Sequence, residues 1–428
     1  MLAAGKEHTV LLRSDGTAAA CGWNEESQCD LPALPAGLTY TQVAAGKEHT
    51  VLLRSDGAAA ACGCNVDGRC DLPALPAGLT YTQVAAGRSH TVLLRSDGTA
   101  AACGCNVDGR CDLPALPAGL TYTQVAAGGE HTVLLRSDGA AAACGCNVDG
   151  QCDLPALPAG VTYAQVAAGG SHTVLLRGDG TAAACGGNGA GQCDLPALPA
   201  GLTYTQVAAG GEHTVLLRSD GAAAACGCNV DGQCDLPALP AGLTYTQVAA
   251  GGSHTVLLRG DGTAAACGWN CDGQCDLPAL PAGLTYTQVA AGGEHAVLLR
   301  SDGAAAACGC NVDGQCDLPA LPAGLTYTAH LLPALLLQAS LDGDSMVFVT
   351  FGGVERCRIR DIYLQLAAEH RAGRLGHGAW RVEAILPGGR QLSSAAAEET
   401  ESGPRDKQCA RSPAAAAGAR ERGQQGGT

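Results

Sequence analysis

Apolar residues come in short blocks along this chain, each closed by a turn signal, and the blocks recur at a fixed spacing. One unit, over residues 79–117, shows the pattern. Leu79-Thr80-Tyr81-Thr82-Gln83-Val84-Ala85 carries β-branched and aromatic residues and reads as a strand. Gly87 and the next two residues make a turn, and His90 to Arg95 forms a second apolar segment. Ser96-Asp97-Gly98 follows. Asp-Gly between two such segments signals a hairpin, because Gly takes a positive φ without steric cost. Thr99 to Gly104 reads as a third, Ala-rich strand, and Asn106-Val107-Asp108-Gly109 as another turn. Asp112 to Pro117 contains two prolines. They exclude a helix interior and a central strand, leaving a loop or a fourth, edge strand.

The unit repeats every 41 residues. His8, His49, His90, His131, His172, His213, His254 and His295 keep that period, as do the tyrosines from Tyr40 to Tyr327. Eight copies occupy residues 2–329 without insertion or deletion. Self-similarity at a period near 40 indicates a propeller, a solenoid or an array, and three or four short antiparallel strands per unit make a propeller blade. The fold class expected is all-β: a β-propeller of seven or eight blades. Met1-Leu2 stands in the phase of Gln42-Val43, so the chain starts in mid-strand. Leu325 to Thr328 supply the first half of the same strand, and the two pieces are expected to complete one sheet and hide its edges. The other reading is a piece of a longer array.

Composition narrows the picture. Apolar residues make up 46% of the 428, yet aromatics are only 3%, so the core is built from Ala, Val, Leu and Cys. No apolar run of 18 residues exists, and the start lacks a basic segment followed by an apolar one. Neither a spanning helix nor a secretory signal is expected, and a cytoplasmic or nuclear protein is.

The repeat resembles that of the regulator-of-chromosome-condensation family. The pattern stands as Gly128-Gly129-Glu130-His131-Thr132, Ser137-Asp138-Gly139, Cys144-Gly145-Cys146-Asn147 and Gly150-Gln151-Cys152-Asp153. The resemblance covers about three quarters of the chain and implies a β-propeller, usually of seven blades. Its members include an exchange factor for a small GTPase, repeat domains of HECT-type ubiquitin ligases, a plant ultraviolet photoreceptor and a β-lactamase inhibitor, so fold does not fix function. Cys replaces both the aromatic before Gly and the Leu of Gly-Gln-Leu-Gly, the photoreceptor's Trp-rich motif is missing, and no HECT catalytic domain follows.

Candidate chemistry in the repeats is sparse. Twenty-two of 24 cysteines lie in the array. Many units carry Cys-Gly-Cys-x5-Cys, such as Cys62, Cys64 and Cys70. Either these thiols bind a metal or they replace apolar core residues, and the second reading is preferred. Repeat 1 has Trp23 and repeat 5 has Gly187 at the middle position, and Cys62 and Cys64 point to opposite faces of a shared strand. One histidine per blade is too far from the next to share an ion, so each is expected at a strand start, satisfied by backbone. No catalytic residue, cofactor or metal is expected.

Residues 1–329 hold 13 Lys+Arg and 29 Asp+Glu. An acidic array repels phosphate backbones, which argues against nucleic acid and for a protein partner, either basic or a small GTPase. Successive turns of a meander alternate between the two faces of a propeller. The turn after Ala-Ala-Gly and the turn after the third strand therefore share one face, where the repeats differ most. Candidate binding residues there are Trp23, Glu25, Glu26, Lys47, Glu48, Arg88, Trp269 and Asp272, with both tryptophans as anchors. The function expected is a non-enzymatic protein-interaction scaffold. The alternatives are a guanine-nucleotide exchange regulator or the substrate-recognition part of a ubiquitin ligase.

Beyond the array, 330–339 reads as an apolar linker. Residues 340–392 read as a small α+β module: a hairpin at 345–359, a helix at 361–375 and a strand and turn at 380–392. That order is similar to a ubiquitin-like β-grasp. Residues 393–428 are rich in Ala, Ser, Gly, Glu and Arg and are expected to be disordered.

Overall fold

The computed structural model describes residues 1–328 and the backbone of four strands further on. Each repeat builds one antiparallel three-stranded sheet. The first two are β1 (Leu2–Ala4), β2 (His8–Leu12) and β3 (Ala18–Gly22), then β4 (Tyr40–Ala45), β5 (His49–Arg54) and β6 (Ala59–Gly63). The series continues through the eighth, β22 (Tyr286–Ala291), β23 (His295–Arg300) and β24 (Ala305–Gly309). The first strand of each sheet lies against the first strand of its neighbours, so these strands are innermost and the Ala-rich third strands lie outside. The Pro-rich stretch after each third strand is a loop that returns the chain to the axis. Each Tyr hydroxyl pins it: Tyr40 Oη donates to Pro32 O at 2.6 Å and Tyr122 Oη to Pro114 O at 2.7 Å.

The ring closes with eight blades. Tyr327 pairs with Arg13, as Tyr40 pairs with Arg54 inside blade 2. Thr328 N–H donates to Leu12 O at 2.9 Å and Ser14 N–H to Thr326 O at 2.7 Å. The inner strand of blade 1 is thus split between Tyr327-Thr328 and β1. This is the closure expected from the phase of the two ends, and it leaves no open sheet edge at the inner strand of blade 1.

Apolar burial is distributed among eight small clusters, one between each pair of neighbouring blades. Between blades 1 and 2, Val10 and Leu12 meet Tyr40, Val43 and Leu52. Between blades 8 and 1, Val297 and Leu299 meet Leu2, Leu11 and Tyr327. Alternate residues of each middle strand face opposite neighbours, so Val51 and Leu53 pack toward blade 3 while Leu52 packs toward blade 1. That middle strand is buried on both faces, which is why its apolar run is continuous. The Asp-Gly turn behaves as its sequence requires: Gly98 sits at φ 79°.

Beyond the ring, β25 (Leu336–Leu341), β26 (Ser345–Thr350), β27 (Trp380–Ile385) and β28 (Gln391–Ala395) form an antiparallel sheet in the order β26-β25-β27-β28. β25 begins inside the segment read as a linker and pairs with both β26 and β27. The strand read as the first arm of a hairpin at 345–359 therefore pairs with the segment before it. β28 runs into the first residues of the segment read as a tail. The helix read at 361–375 and the remainder of the tail lie outside the described residues.

Candidate functional site

Two positions in each repeat bind the blades to one another, and the turns beside them form the candidate surface. Each strand-start histidine is fully buried, and in seven of the eight its Nε2 meets a threonine of the next blade. His8 reaches Thr50 at 3.0 Å, His131 reaches Thr173 at 2.9 Å and His295 reaches Thr9 at 2.8 Å. The threonine hydroxyl is already committed as a donor: Thr50 Oγ1 donates to Gln28 O at 2.8 Å. It must therefore accept from the ring, which places the proton on Nε2 and leaves Nδ1 bare. The sequence reading had these histidines satisfied by backbone. The partner is instead a side chain of the adjacent blade, hidden at the sequence level because the pair is 42 residues apart.

The glycine three residues before each histidine lies against the imidazole. A Cβ on Gly87 would sit 2.5 Å from His90 Cε1 and 2.6 Å from Gly128 O. Burial holds the histidines neutral: His8, His131, His172, His213, His254 and His295 are lowered to about 4, and His49 and His90 to about 3.

One seam departs from this plan. Repeat 8 has Ala296 where the others have Thr, and His254 Nε2 is buried without a hydrogen-bond partner. A hydroxyl there would accept from His254 and donate to Gln274 O, as its counterparts do to Gln28 O and Gln233 O. Ala296→Thr is expected to raise stability by about 1–2 kcal/mol, the range for satisfying a buried donor. A denaturant midpoint equal to or below that of the parent would contradict this.

The turn after Ala-Ala-Gly and the turn after the third strand do share a face. Cys64 N–H donates to Glu48 O at 2.8 Å, and Trp23 N–H to Glu7 O at 2.9 Å. Adjacent blades are stitched here by a closed circle of backbone bonds, from Lys6 N to Gly46 O at 3.2 Å round to Gly293 N to Gly5 O at 3.0 Å. The eight Asp-Gly turns, Ser-Asp-Gly in six blades and Gly-Asp-Gly in blades 5 and 7, lie at the opposite ends of the strands. Each holds one Arg and one Asp and is neutral. The other 5 Lys+Arg and 21 Asp+Glu of residues 1–329 all belong to the first face, so it carries the entire excess negative charge.

The candidate binding residues are spread around this face. Glu25, Glu26, Arg88, Trp269 and Asp272 are exposed, and Trp23, Lys47 and Glu48 are half-buried. Lys47 Nζ lies 2.6 Å from Glu48, whose other oxygen is 3.2 Å from the buried Arg69. Trp23 and Trp269 stand in blades 1 and 7, separated by blade 8. The sequence reading missed the most exposed large apolar side chains among the described residues: Val66, Val107, Val148, Val230 and Val312, each 86–90% exposed at the tip of the third-strand turn. The Asn-Val-Asp-Gly turn signal was the clue, since a residue at a turn tip has nothing to pack against.

The cysteines are weak acids in this setting. Burial pushes Cys62, Cys103 and Cys144 up to about 12, and Cys70 and Cys111 up to about 11. Thiolate, the form that ligates and reacts, is therefore scarce at these positions near neutral pH. Asp108, Glu130 and Cys146 do bring ligand-type atoms within 4.8 Å of one another. Guanidinium groups occupy the neighbourhood: Arg110 lies 2.5 Å from Asp108 and Arg88 3.6 Å from Glu130. A cation would have to displace them.

The geometry defines a closed repeat propeller with one neutral and one acidic face. The chain belongs to the regulator of chromosome condensation (RCC1) repeat family. The family's repeat matches residues 40–69, 81–110, 122–151, 163–192, 204–233, 245–274 and 286–315. These are blades 2 to 8; the split inner strand keeps blade 1 from presenting a contiguous copy. Among solved structures, the chain is similar to Prp20p from Saccharomyces cerevisiae, a protein described with its binding to Gsp1p and histones. The identity is 20%, over 68% of this chain and 80% of that one, with a TM-score of 0.47. Human WBSCR16 is 19% identical over 70% of this chain and 86% of that one, with a TM-score of 0.47. The ectodomain of the Arabidopsis thaliana receptor kinase ACR4 is 17% identical over 63% of this chain and 93% of that one, with a TM-score of 0.45. No curated protein matches the chain in sequence.

Proposed function

We propose that the ring is a protein-interaction scaffold that engages its partner through the acidic face, without a catalytic step of its own. The observation that carries this reading is the confinement of the excess charge and the exposed apolar tips to one face. Charge placed on one side steers association and orients a partner, and it disfavours nucleic acid. Trp23 and Trp269 supply large contact area at its edge. Substituting Trp23→Ala together with Trp269→Ala should reduce retention of a protein partner by an immobilised ring about 10-fold, a typical loss for two peripheral aromatic contacts. Ser55→Ala with Ser219→Ala, on the neutral face, should leave retention unchanged. Equal retention by both double variants would sink the assignment.

Family membership supports a second reading, a guanine-nucleotide exchange regulator of a small GTPase. Accelerated release of labelled nucleotide from members of a GTPase panel is the result that would favour it. A third, substrate recognition within a ubiquitin ligase, calls for a catalytic domain elsewhere, on a longer chain or on a separate one.

A further inference from the structure

The acidic face is not uniform around the ring. All five of its cations, Lys6, Lys47, Arg69, Arg88 and Arg110, belong to blades 1–3. Each is paired: Lys6 with Glu7 at 2.7 Å, Lys47 with Glu48 at 2.6 Å, Arg69 with Asp67 at 2.8 Å, Arg110 with Asp108 at 2.5 Å and Arg88 with Glu130 at 3.6 Å. From Asp149 onward the face holds acids alone. Among the described residues, Asp149, Glu212, Asp231, Asp272, Glu294 and Asp313 have no cationic partner.

The inner rim of the same arc cannot supply cations. Where blades 1–3 have Lys6, Lys47 and Arg88, blades 4–8 have Gly129, Gly170, Gly211, Gly252 and Gly293. A Cβ on Gly129 would meet Gly170 O at 2.3 Å, and one on Gly211 would meet Gly252 O at 2.6 Å. The arc therefore has a bare backbone floor, a crest of carboxylates and, between the carboxylates, apolar tips. Val148 is 90% exposed beside Asp149, Val230 is 86% exposed beside Asp231 and Val312 is 88% exposed beside Asp313. Trp269 adds a half-exposed ring in blade 7.

We propose that the arc of blades 4–8 on the acidic face binds a Lys/Arg-rich polypeptide segment. The inference rests on the scaffold reading and fixes where on the face the partner sits and what it is made of. Lysine and arginine match this surface in both parts. Their aliphatic stems cover apolar tips while their charged heads reach carboxylates that lack a partner within the ring. A nucleic acid meets unscreened repulsion here. A divalent ion would use the carboxylates and leave the valines idle.

The test uses the full chain and a fluorescein-labelled peptide of repeated Lys-Leu-Arg-Gly units, read by fluorescence anisotropy at two salt concentrations. Three triple variants separate the contributions, all at exposed positions so that folding is preserved, with circular dichroism as the check. Asp149→Asn with Asp231→Asn and Asp313→Asn should weaken binding about 10-fold or more, in line with loss of several charge-assisted contacts. Asp30→Asn with Asp71→Asn and Asp112→Asn, in blades 1–3 and each keeping an oxygen to accept from its Asn neighbour, should change it less than about twofold, as distant screened charges do. Val148→Ser with Val230→Ser and Val312→Ser should weaken it roughly fivefold with an unchanged salt slope, the effect of lost apolar area.

Equal losses from the two charge variants would mean a diffuse polyanion and would overturn the inference. So would indifference to the valine variant, or calcium binding at the arc without peptide binding. A natural partner that depends on Trp23 while the peptide fails to bind would remove this inference and leave the scaffold reading standing. Peptide bound at the arc, with natural partners indifferent to the whole face, would do the reverse.

Discussion

Mild acid should unfold the ring at a pH where most of its carboxylates are still ionised. Eight buried histidines are neutral in the fold, lowered to about 4 or about 3 from an ordinary 6.5. Each is held down by burial, and a second proton would fall on Nδ1, which has no acceptor. In the unfolded chain these rings bind protons below pH 6.5, so the unfolded state is the proton-rich one and stability rises with pH. The contribution is fully present above pH 6.5 and is lost as pH falls toward 4. At pH 5 each ring costs roughly 2 kcal/mol relative to neutral pH. Eight such terms reach the roughly 5–15 kcal/mol that holds an ordinary domain together.

A counter-effect exists on the acidic face, where protonating unpaired carboxylates relieves repulsion. It acts mainly below about pH 4.5, after most of the histidine loss. Denaturant midpoints followed by circular dichroism should be level from pH 8 to about 7 and drop steeply below 6.5, with several protons taken up on unfolding. A level profile down to pH 4.5 would contradict the buried-histidine account.

The second large effect concerns the glycine under each imidazole. In Gly169→Ala, the added Cβ would lie 2.5 Å from His172 Cε1 and 2.7 Å from Gly210 O. The first belongs to a fully buried ring tied to Thr214 at 2.9 Å, and the second is backbone of the next blade. Neither can yield without breaking an interblade contact, so the cost should be about 3 kcal/mol, the upper range for overpacking a core. Gly189→Ala is the matched control, because a Cβ there meets nothing within 4 Å. It should shift the midpoint by less than about 0.5 kcal/mol, as exposed substitutions do. Comparable losses from both would show that the close approach at Gly169 is not the cause.

Much of this was legible in the residues, for a physical reason. Period, strand limits and the split strand follow from local signals such as Tyr81, Asp97-Gly98 and Pro114, and a fixed repeat forces the same local solution in every copy. The bonds between blades were not legible. His8 and Thr50 are 42 residues apart, and nothing local to either says that they meet. The adjacency His-Thr, broken once at His295-Ala296, was the available hint. For the surface, the sum of charge was readable but its placement was not. Assigning Asp30, Asp71 and Asp112 to a face needs the Asn24, Asn65 and Asn106 side chains that bond them to the third-strand turn. Beyond residue 328, the pairing of β25 with β26 escaped detection because Leu336–Leu341 carries no turn or alternation signal of its own.

The split inner strand of blade 1 has a consequence for chain order. Met1 N lies 3.0 Å from Thr328 Oγ1, and the contacts across that junction reproduce those made by continuous strands in blades 2 to 8. Geometrically, the ring has no first blade. A circular permutant that joins residue 328 to residue 1 and opens between any other two blades would present the same eight interfaces in the same cyclic order. The exception is the seam at Ala296, the one break in a circle of otherwise equivalent His–Thr links. Opening the chain there would remove the covalent link across the interface least able to hold without it.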